Sequence, residues 1–312
     1  MNNNCLYCYK KLNGEIDFHQ KCIHLFFGTK EAPQLPYSLD QMSELAKHIV
    51  ERSVSVPGVQ PKLSMSLVRE ARNRDCRLTI VGVMGGAYIF KPPNPDYPEM
   101  PENEHLTMRL AEMFGVNVVP SSLIKLQSGE LSYITKRIDR KEDGRKIHMI
   151  DMFQITDAFD KYKSSMEKVG KAIHAYSENT LLDKLSFFEL AVFSFLSGNN
   201  DMHLKNFSMI KKTYGWSLAP AYDLINVSIL IPDDTEELAL SLDGKKRKFK
   251  KEHFTKLGQE LRLTSKQIEG VFKRFQAKRN LASTLIDQSF MSVQFKNNYQ
   301  TVLDERFSRI SD

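Results

Sequence analysis

The chain has 312 residues, 41% hydrophobic and 26% charged, with a formal net charge of +6. That is long enough for one large core or two lobes, and the mild positive charge permits an anionic ligand such as a nucleotide without demanding nucleic acid. No apolar run reaches the roughly 20 residues that span a bilayer, and "MNNNCLYCYKK" has no apolar secretory segment, so a cytoplasmic protein with no membrane contact is expected.

Residues 1–30 form a Cys/His-containing unit. Cys5, Cys8, His19 and Cys22 follow the pattern C-x2-C-x10-H-x2-C. Two close pairs joined by a loop are how one tetrahedral structural zinc site is built from thiolates and imidazole. His24 is an alternative fourth ligand. Small buried cysteines packing against Tyr7, Phe18 and Phe27 satisfy the same spacing. Cys76 stands alone, and four cysteines without a dense disulfide pattern make a reducing compartment the default.

Pro33 and Pro36 mark a linker, and Ser38 with Gln41 fits a capping box opening a helix. "KLSMSLVRE" alternates with Leu63, Met65 and Leu67 on one face, which predicts a strand. "RLTIVGVMGGAYIFKPP" reads as strand, glycine-containing turn, strand, stopped by Pro92 and Pro93. "PENEHLTMRLAEMFG" is an amphipathic helix closed by Gly115, and "GELSYITKRIDR" is a strand running into a connector near 134–140. From about 150 the pattern is mostly helical, with "SSMEKVGKAIHAYS", 181–197 and 264–290 the clearest helices. The basic run "GKKRKFKKEH" (244–253) reads as a solvated loop and helix start, or as a docking surface for an acidic partner. The expected fold is α+β: an N-lobe over 31–135, strand-rich around one helix, and a helical C-lobe over 136–312.

The apolar run 181–197 delivers "GNNDMHLKN", residues 198–206. Asp201 and Asn206 have the Asp-to-Asn spacing of a protein-kinase catalytic loop, where the aspartate accepts the proton of the acceptor hydroxyl and the asparagine holds magnesium. Asp223, in "APAYDLI" one hairpin later, stands where a kinase places its main magnesium-binding carboxylate. In the strand-rich part, Lys91 ends a strand where a lysine reaches nucleotide phosphates, and Glu104 in the next helix can fix it by an ion pair. "SVSVPGVQPK" (53–62) precedes a strand and can offer backbone N–H groups and Lys62 to phosphate. G-x-G-x-x-G and DFG motifs are absent, which disfavours an ordinary protein kinase.

In this order, "SVPGVQPKLSM", "FKPPNPDYPEMPENEHLTMRLAEMFGVNVVPS", "YITKRIDR", "LSGNNDMHLKNFSMI" and "LAPAYDLINVS" resemble the HipA family of toxin kinases. The likeness is to the short form, HipT of the three-part HipBST systems, and runs from about residue 50 to about 290. The resemblance implies a two-lobe protein-kinase-like fold, and phosphate transfer from ATP with Mg2+ to protein Ser/Thr that arrests growth. It implies Asp201 as catalytic aspartate, Asn206 and Asp223 as magnesium ligands, and Lys91 and His203 at the ATP phosphates. Lys205 falls where family members carry a basic residue, and the backbones of Lys136 and Ile138 take the adenine-hinge positions. It implies an autophosphorylated serine at Ser55, with Ser53 as second candidate, in a regulatory loop over 53–60. Phosphate there adds about −1.5 to −2 charges beside a phosphate-binding loop and competes with ATP. Full-length HipA proteins carry a further N-terminal subdomain for which this chain has little room. A separate small HipS-like partner is therefore expected, besides a helix-turn-helix, HipB-like antitoxin. Family members act on aminoacyl-tRNA synthetases, so one of these is the expected target; direct DNA binding is not expected. Two other readings stay open: a catalytically silent ATP-binding member, and a phosphoinositide-like or small-molecule kinase, since those also use an Asp-x-His-x-x-Asn loop.

Overall fold

The computed structural model describes residues 3–42, 44–45, 62–69, 76–81, 86–141 and 143–311. Ser53, Ser55 and the rest of the 53–60 loop lie outside them. The first described elements are helix α1 (Gln20–Phe27) and the opening turn of α2 (39–42). The capping box at α2 is made: Gln41 Oε1 accepts from the Ser38 N–H at 2.9 Å, and Ser38 Oγ accepts from the Gln41 N–H at 3.4 Å.

Strands β1 (Leu63–Arg69), β2 (Cys76–Ile80), β3 (Tyr88–Lys91), β4 (Ser121–Lys125) and β5 (Leu131–Lys136) form an antiparallel sheet in the order β2-β1-β3-β5-β4. Leu63 and Met65 point into its core. The two strands of "RLTIVGVMGGAYIFKPP" are not sheet neighbours; β1 lies between them. Pairing of β1 with both places β3 at the centre, so Lys91 leaves the middle strand of the sheet.

Helix α3 (Met100–Phe114) follows, with Gly115 in the left-handed region at φ 95° just past its end. Strand β6 (Met149–Asp151) pairs with β7 (Ser208–Lys212), and β7 with β8 (Gly215–Leu218). The remaining helices are α4 (Met152–Ile155), α5 (Met166–Tyr176), α6 (Thr180–Leu196), α7 (Lys251–Glu260), α8 (Ser265–Ala277), α9 (Arg279–Gln288) and α10 (Val293–Ile310). The span predicted as one helix over 264–290 is two, α8 and α9, meeting at Lys278. The basic run is a loop whose Lys250 is the N-cap of α7.

The chain divides into two compact units. The first comprises 1–105, 119–145 and 288–291, with the five-stranded sheet and α1. The second comprises 106–118, 146–287 and 292–312, with the three-stranded sheet and most helices. Its core is aromatic: Phe114 packs against Phe193, Phe275 and Phe307 with ring centroids 5.1–6.1 Å apart. Two of the polar side chains of α6 are satisfied there. Glu189 accepts from Arg274 at 2.6 Å, and Ser194 Oγ donates to the Leu190 carbonyl at 2.8 Å. Among the described residues no helix is long and apolar enough to cross a membrane.

Candidate active site

In the second unit, α6 delivers the loop 198–206. Gly198 adopts φ 68°, and its N–H donates to the Phe195 carbonyl while the Asn199 N–H donates to Ser194. Those two bonds make a Schellman C-cap, so a buried helix ends at a fixed angle. Asn200 donates to Asp234 Oδ2 at 2.8 Å and to the Glu236 carbonyl at 3.1 Å, and Asn199 Oδ1 accepts from the Asp201 N–H. The asparagines that precede Asp201 therefore brace the loop.

Asp201 is half-buried, while Asn206 is buried in the same loop. The Asn206 amide nitrogen donates to the Asp201 carbonyl at 3.0 Å. With its nitrogen engaged by the loop, the Asn206 amide keeps its oxygen as an acceptor, the atom type a hard cation takes. Asp223 lies in the left-handed region at φ 60°, a conformation aspartate tolerates better than most residues. One carboxylate and one amide oxygen from different elements of the same unit fit magnesium, which takes few protein ligands and keeps waters and phosphate oxygens.

His203 is buried, and its Nε2 lies 2.9 Å from Lys161 Nζ. An ammonium is only a donor, so Nε2 accepts and the ring proton sits on Nδ1. Nδ1 is buried without a hydrogen-bond partner among the described residues. A buried, unsatisfied N–H donor is costly unless it serves a ligand, and a phosphate oxygen is a fitting acceptor. Burial, helped by the Lys161 charge, holds the imidazole below its ordinary pKa against the pull of Asp201 and Asp223.

Two residues outside the predicted set complete this cluster. Tyr162 donates its hydroxyl to Asp201 Oδ1 at 2.8 Å and lies edge-on to the His203 ring. Burial and that bond raise the Tyr162 pKa, so the phenol stays a donor. Lys161 places its ammonium on His203 and over the Tyr162 ring. They are 39 and 42 residues from their partners, and nothing local in "DAFDKYK" signals the contact. Lys205 is exposed; its ammonium lies over the Phe153 ring at 4.8 Å and its carbonyl accepts from the Tyr222 hydroxyl.

In the first unit, Lys91 Nζ meets Glu104 Oε1 at 2.6 Å, with both side chains at most 4% exposed. The ammonium also sits over the Tyr133 ring at 5.4 Å. Lys136 ends β5, where its N–H donates to the Pro120 carbonyl at 3.0 Å; Ile138 lies in the turn that follows. In that connector Asp139 is gripped by Arg137 and Arg140; burial opposes its ionisation, but the two guanidiniums outweigh it and lower its pKa. Lys62 is exposed at the start of β1.

The same unit brings Cys5, Cys8, His19 and Cys22 together, with their ligand atoms all within 4.8 Å of one another. His24 is exposed on α1 and outside the group. Cys76 is buried in β2, also apart from it.

Residues 54–282 match the family described as HipA-like C-terminal domain. The chain is 31% identical over 210 residues to a "Putative kinase" of Haemophilus influenzae, covering 63% of this chain and 59% of that protein. It is 31% identical over 232 residues to "Putative kinase Y4dM" of Sinorhizobium fredii, covering 69% of this chain and 55% of that protein. The chain thus spans little more than half the length of these relatives. In structure it resembles HipA from Shewanella oneidensis, solved with HipB and its operator DNA, at a TM-score of 0.70 and 20% identity. That match covers 88% of this chain and 71% of the HipA chain, and gives the kinase-like α+β fold. With 54–282 matched, most of its length, the chain belongs to the HipA-like C-terminal domain family.

Proposed function

We propose that the protein is an ATP- and Mg2+-dependent protein serine/threonine kinase, acting as the toxin of a HipBST- or HipBA-type system. The observation that carries the reading is the 201–206 loop, where a carboxylate already holds a hydroxyl at 2.8 Å and the Asn206 amide is fixed to the Asp201 carbonyl through its nitrogen. In-line phosphoryl transfer asks for those two groups: one to orient and deprotonate the acceptor, one to hold the metal.

In this mechanism Asp201 accepts the proton of the Ser/Thr hydroxyl as its oxygen bonds to the γ-phosphorus. The bond from that phosphorus to the β,γ-bridging oxygen breaks, and ADP leaves with the electron pair. His203 Nδ1–H donates to a phosphate oxygen. Lys91, fixed by Glu104, neutralises phosphate charge, and Lys205 adds positive charge at the loop. Asn206 and Asp223 hold magnesium, which when bound supplies further charge neutralisation. The backbones of Lys136 and Ile138 hold adenine.

Ser55, or Ser53, is the proposed autophosphorylation site, in a loop whose modification competes with ATP. A HipB-like, helix-turn-helix antitoxin is the implied partner, since the related HipA structure holds HipB. A small HipS-like protein is the second, an aminoacyl-tRNA synthetase the proposed target, and the cytoplasm the compartment.

Labelled ATP with the full chain tests the reading. Phosphate is expected on Ser55 or Ser53, and Asp201→Ala is expected to abolish both label and growth arrest. Label retained by Asp201→Ala overturns the assignment of the aspartate. Label found only on an added lipid overturns the protein-kinase reading, and no label at all overturns catalysis.

A further inference from the structure

The N-terminal unit carries a side-chain cluster that phosphoryl transfer does not use. Cys8 Sγ and Cys22 Sγ lie 3.5 and 3.8 Å from His19 Nδ1. A zinc ion with Zn–S of about 2.3 Å and Zn–N of about 2.0–2.1 Å sets neighbouring S and N ligands about 3.6 Å apart. His19 is the N-cap of α1, yet its side chain makes no capping bond. Its Nε2 lies 3.0 Å from the Lys11 carbonyl, which can only accept. Nε2 therefore carries the ring proton, and the Nδ1 lone pair faces the sulfurs, the arrangement by which a backbone carbonyl orients a metal-binding histidine.

The four residues sit on two arms that reach the immediate neighbourhood of the Lys91–Glu104 pair. The first is the Cys5–Cys8 turn, followed by Tyr9, which is fully buried at φ 63°. The Tyr9 hydroxyl lies 2.9 Å from His105 Nδ1, and His105 is the neighbour of Glu104 on α3. The second arm is α1, whose Phe26 and Phe27 pack on Tyr88 at the start of β3, with centroids 5.9 and 6.3 Å apart. Strand β3 ends at Lys91. One arm thus holds the residue beside the glutamate and the other the strand of the lysine, and the Cys/His cluster is where they join.

We propose that Cys5, Cys8, His19 and Cys22 bind one zinc ion, and that the ion clamps the two arms that hold Glu104 and Lys91. The consequence for ATP rests on the reading of Lys91 given above; the clamp itself does not. Loss of the metal leaves the arms joined only by packing and by hydrogen bonds such as Leu6 N–H to the Asp17 carbonyl and His19 to the Lys11 carbonyl, and loosens the ion pair. A chelator or a thiol oxidant would then act on the kinase without touching its catalytic loop.

Zinc content of the full chain by mass spectrometry is the test, with cobalt(II) substitution as a spectroscopic probe. One metal per chain is expected, with the visible bands of a tetrahedral thiolate site. Cys8→Ser and Cys22→Ser are expected to lose the metal and Cys76→Ser to keep it. Removing the metal should speed amide exchange in Tyr88–Lys91 and in 103–105. Tyr9→Phe guards against a fold that fails without the cysteines. It should keep the metal and still speed exchange at 103–105 by roughly fivefold, what one buried hydrogen bond of ordinary strength provides. Zinc at the level of the buffer, with no cobalt–thiolate bands, overturns the site. Bound metal whose removal leaves exchange in both segments unchanged overturns the clamp. Neither readout uses ATP, so a failed kinase reading would not be mistaken for a failed metal site.

Discussion

Lys91 and Glu104 are buried and meet at 2.6 Å between a central strand and a helix. Asp201, in a loop of the other unit, is half-buried, and its carboxylate accepts from the hydroxyl of Tyr162, a residue that is itself 38% exposed. The first pair is a closed contact. Two opposite charges taken out of water require each other, and each fixes the other's rotamer. The second is an open one, a carboxylate whose present partner can be exchanged for an incoming hydroxyl. The difference teaches where each group's role resides. The ion pair contributes to the fold as well as to any ligand, whereas the loop contributes chemistry on a mount already made rigid by α6.

The largest test of that contrast is Glu104→Ala. Removing the carboxylate leaves a buried ammonium without its main partner, and breaking such a pair costs about 3–5 kcal/mol. A urea titration should show the loss. Replacing both charges by apolar side chains, Lys91→Met with Glu104→Leu, should recover most of it, since a buried pair is often no more stable than well-packed hydrophobes. Asp201→Ala should by comparison cost no more than about 1 kcal/mol, the value of one ordinary hydrogen bond. Equal losses at the two sites would break the contrast.

Gly198→Ala comes next and probes the mount rather than the chemistry. The residue sits at φ 68°, and an added Cβ would stand 2.5 Å from Asn226 Oδ1 and 3.0 Å from Val302. A left-handed conformation alone costs a non-glycine residue about 1–2 kcal/mol. Asn226 Oδ1 cannot retreat freely, because it accepts from the Ile229 N–H. A melting temperature within error of the parent would show that the loop does not need this turn.

What could be read from the sequence follows the range of the contact. The strand at Leu63 and Met65, the α2 capping box and the helix end at Gly198 depend on neighbours within a few residues, and all are visible as spacing. The Asp201-to-Asn206 interval is equally local. Tyr162 on Asp201, Lys161 on His203 and Tyr9 on His105 join residues 39, 42 and 96 positions apart. No periodicity connects such pairs; the fold alone brings them together. The order of strands was hidden for the same reason. Two runs joined by a glycine turn look like a hairpin, and only the hydrogen-bonding preference of β1 for both of them parts β2 from β3.

The smallest effect concerns the charge around His203, and its sign is the informative part. Burial and Lys161 disfavour the imidazolium, while Asp201 and Asp223 favour it, and the balance is a lowered pKa. Unfolded histidine titrates near 6.5. As pH falls through that value the unfolded chain takes up a proton that folded His203 still refuses. The contribution is therefore complete above the unfolded pKa and is lost as pH falls toward the folded one. Lys161→Met removes an opposing charge, so the His203 pKa should rise toward its ordinary value. Asp201→Asn removes a favouring charge and should lower it further. Imidazole resonances followed against pH in the two variants measure both shifts. Opposite movements mean that the open loop is tuned by charges facing it from two elements, whereas shifts of the same sign would mean that burial alone governs the ring and that Lys161 is only a packing neighbour.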